Sequence, residues 1–347
     1  MKLKLNFTAA LISVALAAGS MAPGEAFSGK LLKANGVSTE ADAIRYYQTI
    51  DPNNLRLTQD AWREVNGFND SRNEVVVVGG HKNVSDLGFW RRIEMVIDKR
   101  PGYVGNVAMT TFNFANEQDA FVNQNPLSIV NMEYSPGPNG DRITKFYIYN
   151  AGGGRENGTI FDPDLAKAEK LFLPNGCASC HGGGKNFATR GGKTGGGFLA
   201  FDFNVFEYGT LTSRADNEAN VKKLNQGVLK TNPPSAVKSL ISGLYGGYKL
   251  PLATQNTAYR PSTWDTEPAL WNVVVTDCLG CHTLSEQELL NLDYWKINVG
   301  SLREKVLNKK LMPNSPHANR RFFNTDPNQL PTNHRQIVED ALNRFRP

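Results

Sequence analysis

All four cysteines of this 347-residue chain lie in two copies of the pattern Cys-x-x-Cys-His, at residues 177–181 and 278–282. Two thiols with two residues between them suit the two vinyl groups of a haem, and the adjacent histidine is then in place to bind the iron. The motifs therefore predict two covalently bound haem c groups. The expected thioether residues are Cys177, Cys180, Cys278 and Cys281, and the expected axial ligands are His181 and His282.

Two other uses of paired cysteines compete with haem. Zinc sites usually bring together Cys-x-x-Cys pairs about 15–20 residues apart, whereas Cys180 and Cys278 lie much farther apart. Redox-active Cys-x-x-Cys disulfides are the second alternative. That hypothesis leaves the histidine after each pair unexplained, so the sequence favours haem.

The first 26 residues have the features of a secretory signal. Lys2 and Lys4 precede a short apolar run at 5–18, and cleavage after Ala26 or after Ser20 would fit the preference for small residues at the cut. The alternative is a membrane anchor, but the run is short for a spanning helix. Residues 1–26 are therefore predicted to be a signal peptide, with export to the periplasm or the outer cell surface and no membrane span in the mature chain.

The net charge is +5, and removal of Lys2, Lys4 and Glu25 with the signal lowers it to +4. The chain has no run of Lys and Arg, so nucleic acid is not an expected partner. The predicted partners are redox proteins that donate or accept electrons.

A sixth iron ligand for the second haem is predicted at Met312. Met312-Pro313 follows His282 by thirty residues, across a stretch with a capping-box pattern at Thr283 and Glu286 and helical spacing up to residue 310. This arrangement resembles class I c-type cytochromes, in which a methionine thioether is an axial ligand. The alternative is a buried methionine in a turn.

The first haem has no such local candidate, because no Met or His lies between His181 and Cys278. The distal candidates are His81, at the end of a predicted strand, Met132, within another, and His317. Met95 and Met109 also precede the motif, and the strand positions of Met109 and Met132 are equally those of core residues. His334 is expected in solvent at the start of the last helix.

The chain from 74 to 150 consists of short β-branched and aromatic runs separated by Gly, Pro, Asn and Asp, which predict an antiparallel sheet. Helices are predicted at 38–50, 57–65, 162–182, 214–230 and 234–244. An aromatic segment at 198–209 is expected to wall the first haem. We therefore predict an α+β fold in which an antiparallel β-rich N-terminal region precedes a mainly helical, cytochrome c-like region. The expected divisions are a signal peptide (1–26), a helical lead-in plus antiparallel β region (27–155), a first haem region (156–260) and a second-haem domain (261–347).

Together these features resemble a group of exported bacterial dihaem c-type cytochromes, over most of residues 50–325. Besides the haem motifs, the resemblance rests on Asn66-Gly67-Phe68, Asp86-Leu87-Gly88, Met132-Glu133-Tyr134 and Phe146-Tyr147. In the family pattern Met-Pro runs directly into His-Ala, whereas here three residues separate Met312-Pro313 from His317-Ala318. Met312 and His317 therefore both remain candidates. The resemblance implies c-type haem and export.

Two functions follow as hypotheses. The first is electron transfer, in which two haems with different ligands relay electrons between a donor and an acceptor. The alternative is an enzyme, a dihaem peroxidase with an open first haem. The layout favours electron transfer, because the dihaem peroxidase family carries its first motif much nearer the N-terminus.

Overall fold

The computed structural model describes residues 38–162, 170–182, 187, 192–282, 290–313, 315–325 and 331–345. The predicted signal peptide, the first part of the lead-in and the capping box at Thr283 and Glu286 lie outside these residues.

Two short helices open the described chain. Helix α1 (Glu40–Ile50) begins at Thr39, whose hydroxyl accepts a hydrogen bond from the Asp42 N–H while the Asp42 carboxylate accepts from the Thr39 N–H. Helix α2 (Gln59–Val65) begins at Thr58, whose hydroxyl accepts a hydrogen bond from the Ala61 N–H. Such caps satisfy amide groups that have no partner within a helix. Both predicted helices are thus confirmed.

The predicted antiparallel sheet is also confirmed. Seven strands pair in the order β6-β5-β4-β3-β2-β1-β9, and every pairing is antiparallel. Helix α3 (Glu117–Val122) connects β3 to β4. The strands are β1 (Val75–Asn83), β2 (Trp90–Ile97), β3 (Val107–Phe114), β4 (Ser128–Pro136), β5 (Arg142–Tyr149), β6 (Arg155–Glu156) and, later in the chain, β9 (Phe206–Tyr208).

The register assigns each side chain to one of two faces, because directly paired residues point to the same side of a sheet. Met95 pairs with Met109, Met109 with Met132, and Met132 with Phe146. We call the face with these four residues the cavity face. The opposite face carries Thr110, Asn131 and Glu133, which hydrogen-bond to residues of the helical lead-in.

Helices and two short strands make up the rest of the fold. They are β7 (Gly158–Ile160), β8 (Lys170–Phe172), α4 (Asn175–His181), α5 (Arg214–Lys230), α6 (Ser235–Leu244), α7 (Pro268–Asp277), α8 (Leu279–His282), α9 (Leu292–Ile297), α10 (Val299–Leu302), a π-helical turn (Arg303–Asn308), α11 (Pro316–Phe322) and α12 (His334–Arg344). The predicted α+β class is therefore correct, with the sheet in the N-terminal half and most helices in the C-terminal half.

The prediction of a continuous helix over 162–182 is wrong at residues 170–172. These residues form β8, which pairs with β7 from Gly158 to Ile160. Pro174 stands at the start of the following helix, where its ring would disrupt the interior of a longer one. Helix α4 therefore begins only at Asn175.

The buried apolar side chains form one continuous core from α1 to α12, including β-strand, motif and C-terminal residues. Within the described residues, no helix combines the length and the apolar character needed to cross a membrane.

Candidate functional site

The first motif lies on helix α4, between β8 and a glycine. Gly182 ends the helix with φ +71°, a conformation that favours glycine. Cys177 is buried in the core, and burial raises the pKa of its thiol to about 12. Cys180 and His181 are only partly buried. The Cys177 thiol therefore lies inside the core, whereas the Cys180 thiol and the His181 imidazole lie at the edge of the core.

The His181 ring is held in a defined orientation. Its Nδ1 lies 3.0 Å from the carbonyl oxygen of Gly197. A carbonyl can only accept, so this bond requires the proton on Nδ1 and leaves a lone pair on Nε2. Burial lowers the pKa of His181, which favours the neutral ring. A neutral imidazole oriented by a carbonyl through its other nitrogen is the usual arrangement of a metal-binding histidine.

A cavity of about 160 Å³ adjoins His181. The cavity face of the sheet contributes Met109 and Met132, and the aromatic segment after the motif contributes Phe198 and Phe201. The Phe146 ring, next to Met132 in the register, lies 5.7 Å from the His181 ring. The cavity therefore joins the sheet, the first motif and the segment at 198–209.

Three charged side chains line the same cavity. Arg91 forms an ion pair with Asp86 and donates a hydrogen bond to Asn113. Asp202 is buried, and burial raises the pKa of its carboxyl to about 6 although it accepts hydrogen bonds from Asn204. Asp202 could not be recognised from sequence, because an isolated Asp in an aromatic segment has no recognisable pattern.

The second motif continues directly from helix α7. Asp277, at its end, is buried and accepts hydrogen bonds from Arg321 and from His334, whose Nδ1 lies 2.6 Å from an Asp277 carboxylate oxygen. The expectation that His334 is solvated is therefore wrong in this respect: it does begin the last helix, but its ring packs against a buried carboxylate. The pair fixes the end of α7 just before Cys278.

Met312 lies at the second motif. A small cavity is lined by Cys278, Cys281 and His282 together with Met312 and Pro313. Burial lowers the pKa of His282, and the positive charge of Lys305 lowers it further. A neutral imidazole and a thioether thus share one cavity, which is the pair that the sequence predicted there.

The two motifs meet. Helix α4 contacts helix α8, and the Cys281 thiol donates a hydrogen bond to Cys180 over a sulfur–sulfur distance of 3.3 Å. At Gly280, inside the second motif, a Cβ would overlap the Ser85 hydroxyl, so glycine permits helix α8 to lie against Ser85. Residues about a hundred positions apart in sequence therefore form one site.

The other two predicted candidates take different positions. His81 is fully buried and stacks on Phe206 at 4.2 Å, and Phe206 lines the first cavity. Neither ring nitrogen of His81 has a hydrogen-bond partner among the described residues, and burial lowers the pKa of the ring to about 3. His317 lies against Gly88, where any Cβ would overlap its ring.

The shorter sequence motifs also converge on this region. Asn66 donates a hydrogen bond to Glu133 over 2.9 Å, which links the Asn-Gly-Phe and Met-Glu-Tyr segments. Asp86 and Leu87 line the first cavity, and Gly88 contacts His317. The Asn66–Glu133 bond therefore lies on the face of the sheet opposite the cavity, while Asp86 and Leu87 are part of the cavity wall.

The donor set suits covalent haem. Each motif offers two thiols and a neutral imidazole, and the first has an apolar cavity beside it. In the described part of the chain, no three or more His, Cys, Asp or Glu residues are grouped to hold a metal ion by themselves. No protein-family model, curated protein or solved structure matches this chain.

Proposed function

We propose that the chain is an exported dihaem c-type cytochrome that transfers electrons between redox proteins. The observation that carries the proposal is the contact between the two motifs, with the Cys180 and Cys281 sulfurs 3.3 Å apart. Thioethers formed at these residues would attach two haems at neighbouring sulfurs. A bound haem supplies an iron that accepts and releases one electron.

At the first site, the chain orients the His181 ring and surrounds the cavity with apolar side chains. Gly197 holds His181 with Nε2 free to bind iron. On the cavity face, Met132 is the sulfur donor whose register partner, Phe146, contacts His181. We therefore assign Met132 as the sixth ligand of the first iron, in preference to Met109, His81 and His317.

At the second site, His282 and Met312 would hold the haem iron. Both line one cavity with Cys278 and Cys281. Thioether ligation raises the reduction potential of a haem, and hydrogen bonding and burial tune it further. Because the two sites differ in their surroundings, we expect two bound haems to have different reduction potentials.

The predicted signal peptide and the resemblance to exported dihaem cytochromes support a location outside the cytoplasm, in the periplasm or at the cell surface. Covalent attachment suits that location, since the cofactor cannot dissociate. The partners are redox proteins.

A dihaem peroxidase-like enzyme is the alternative, and one observation favours it. The first cavity contains Asp202, an acid whose pKa lies near 6, and the positively charged Arg91. If the first iron lacked a sixth ligand, Asp202 could exchange a proton with a peroxide in this cavity, and the fixed positive charge of Arg91 could stabilise a developing anion.

The test is to express the full chain with a cytochrome c maturation system and to measure its intact mass. For the wild type we expect the chain plus two haems. We expect one haem in a variant with both Cys177 and Cys180 changed to Ser, and one haem in a variant with both Cys278 and Cys281 changed to Ser. Potentiometric titration of the loaded protein should then show two one-electron steps. A mass without haem in the wild type would overturn the proposal, and rapid turnover of hydrogen peroxide would favour the enzyme.

A further inference from the structure

We propose that Cys180 and Cys281 form a disulfide in the haem-free chain, joining the two motifs. This disulfide is a covalent modification of the same cysteines that differs from haem attachment. The cross-link itself needs no haem; only its effect on attachment rests on the proposed function.

The geometry favours this pair of cysteines. Their sulfurs are 3.3 Å apart, against a disulfide bond of about 2.05 Å, so a shift on the order of 1 Å closes the gap. The two thiols come from different helices that already contact each other. Motion of side chains and of the short helix α8 is then sufficient, without unfolding either motif.

An oxidant can reach the Cys180 and Cys281 thiols more easily than the Cys177 thiol. Cys180 and Cys281 are partly exposed, whereas only 6% of Cys177 is exposed. A bond within the first motif would require the oxidant, or the attacking thiolate, to reach Cys177 inside the core. The cross-motif bond has no such requirement.

The chemistry is thiol–disulfide exchange with an external disulfide such as oxidised glutathione. The Cys180 thiol loses its proton and attacks one sulfur of the oxidant, which forms a mixed disulfide and releases one thiolate. The Cys281 thiol then loses its proton and attacks the Cys180 sulfur, which releases the second thiolate. Two protein thiols are oxidised by two electrons, and one disulfide is reduced to two thiols.

The bond would consume one thiol of each motif. Neither motif could then form both of its thioethers, so a single oxidation would block both haem sites. An oxidising compartment, as expected after export, would make this cross-link a competitor of haem attachment until a reductant removes it.

The experiment uses the full haem-free chain, reduced, then exposed to oxidised glutathione and alkylated. Tryptic peptides are identified by mass spectrometry. The cysteines of each motif fall within one tryptic peptide, so only a cross-motif bond links two peptides. We expect the linked pair in most wild-type molecules, loss of the pair in Cys180→Ser and Cys281→Ser, and its retention in the matched control Cys177→Ser.

Bonds confined to single motifs in the wild type would overturn the proposal, whatever the variants do. A second arm adds ferrous haem to the reduced and to the cross-linked chain. We expect covalent haem only in the reduced chain and in cross-linked chain treated with dithiothreitol. If the cross-link forms but the reduced chain binds no haem, the disulfide stands and the proposed function fails. Equal haem attachment with and without the cross-link would contradict the blocking effect.

Discussion

The two motifs have the same sequence pattern but different surroundings. The first lies against the sheet, and its cavity is lined by residues from β2, β3, β4 and the aromatic segment. The second lies among helices, and its small cavity is closed by Met312 from a nearby loop. One site thus takes its wall from distant strands, and the other from the stretch that follows its own motif.

The difference explains why a sulfur donor beside the second motif could be predicted from sequence and one beside the first could not. A side chain supplied by the local stretch keeps a recognisable spacing from its motif, as Met312 does. A side chain supplied by the sheet has a sequence position set by strand register, so Met132 resembles any other core residue.

Glu133 stabilises the sheet behind the first site. It is fully buried, and Arg56, Lys145 and Asn66 bond to it. Burial would raise the pKa of Glu133, but the two positive charges and the hydrogen bonds outweigh it and bring the pKa to about 2. We expect Glu133→Ala to lower the free energy of unfolding by about 3–5 kcal/mol, because it removes the carboxylate that pairs with buried Lys145 and one of the two carboxylates that pair with Arg56.

Denaturant unfolding of Glu133→Ala should show one shifted transition, since the core is continuous between the two regions. The control is Asp293→Asn, which removes an exposed pair with Lys296 and should change the midpoint little. Two transitions, only one of them shifted, would show that the sheet region and the second-motif region unfold independently.

Met312→Leu should convert one iron of the two from low spin to high spin. Leucine conserves the side-chain volume, so the fold should lose less than about 1.5 kcal/mol while the thioether is removed. Electron paramagnetic resonance of the oxidised protein measures the change. Met95→Leu is the matched control, because Met95 is buried on the cavity face but has no assigned iron. An unchanged spectrum for Met312→Leu would remove Met312 from the ligand set.

Met132→Leu should have the same effect on the other iron, and Met109→Leu and His81→Ala should not. Met109 is the direct neighbour of Met132 in the register, so it controls for packing at the cavity. A high-spin signal in His81→Ala alone would instead assign the sixth position to His81, whose ring nitrogens lack partners among the described residues.

The smallest expected effect concerns Asp202 and pH. Its folded pKa, about 6, lies above the ordinary Asp value of 3.8. Between these pH values the folded state binds the proton and the unfolded state does not. The contribution of Asp202 to the free energy of unfolding therefore falls as pH rises from about 4 to 6. The loss amounts to roughly 2–4 kcal/mol and is complete above pH 6. The difference in unfolding free energy between wild type and Asp202→Asn should show this slope; a flat difference would contradict it.

Much of the fold follows from local patterns. Short β-branched and aromatic runs predicted the five main strands, and capping residues such as Thr39 predicted helix starts. Strand β8 escaped prediction, because its pairing with β7 overrides a helical spacing. The contact between Cys180 and Cys281 and the bond between Asp277 and His334 also could not be predicted. Both join segments far apart in sequence, and only the tertiary packing brings them together.

The most direct test of the account is the low-temperature electron paramagnetic resonance spectrum of the oxidised, haem-loaded protein. We expect two low-spin signals of equal intensity. Magnetic coupling should broaden both, because haems attached at the neighbouring Cys180 and Cys281 sulfurs would lie close to each other. Reduction of one haem should sharpen the signal of the other. A high-spin signal from the first iron would contradict the assignment of Met132 and favour the peroxidase-like enzyme, and two uncoupled signals would contradict the relay between adjacent haems.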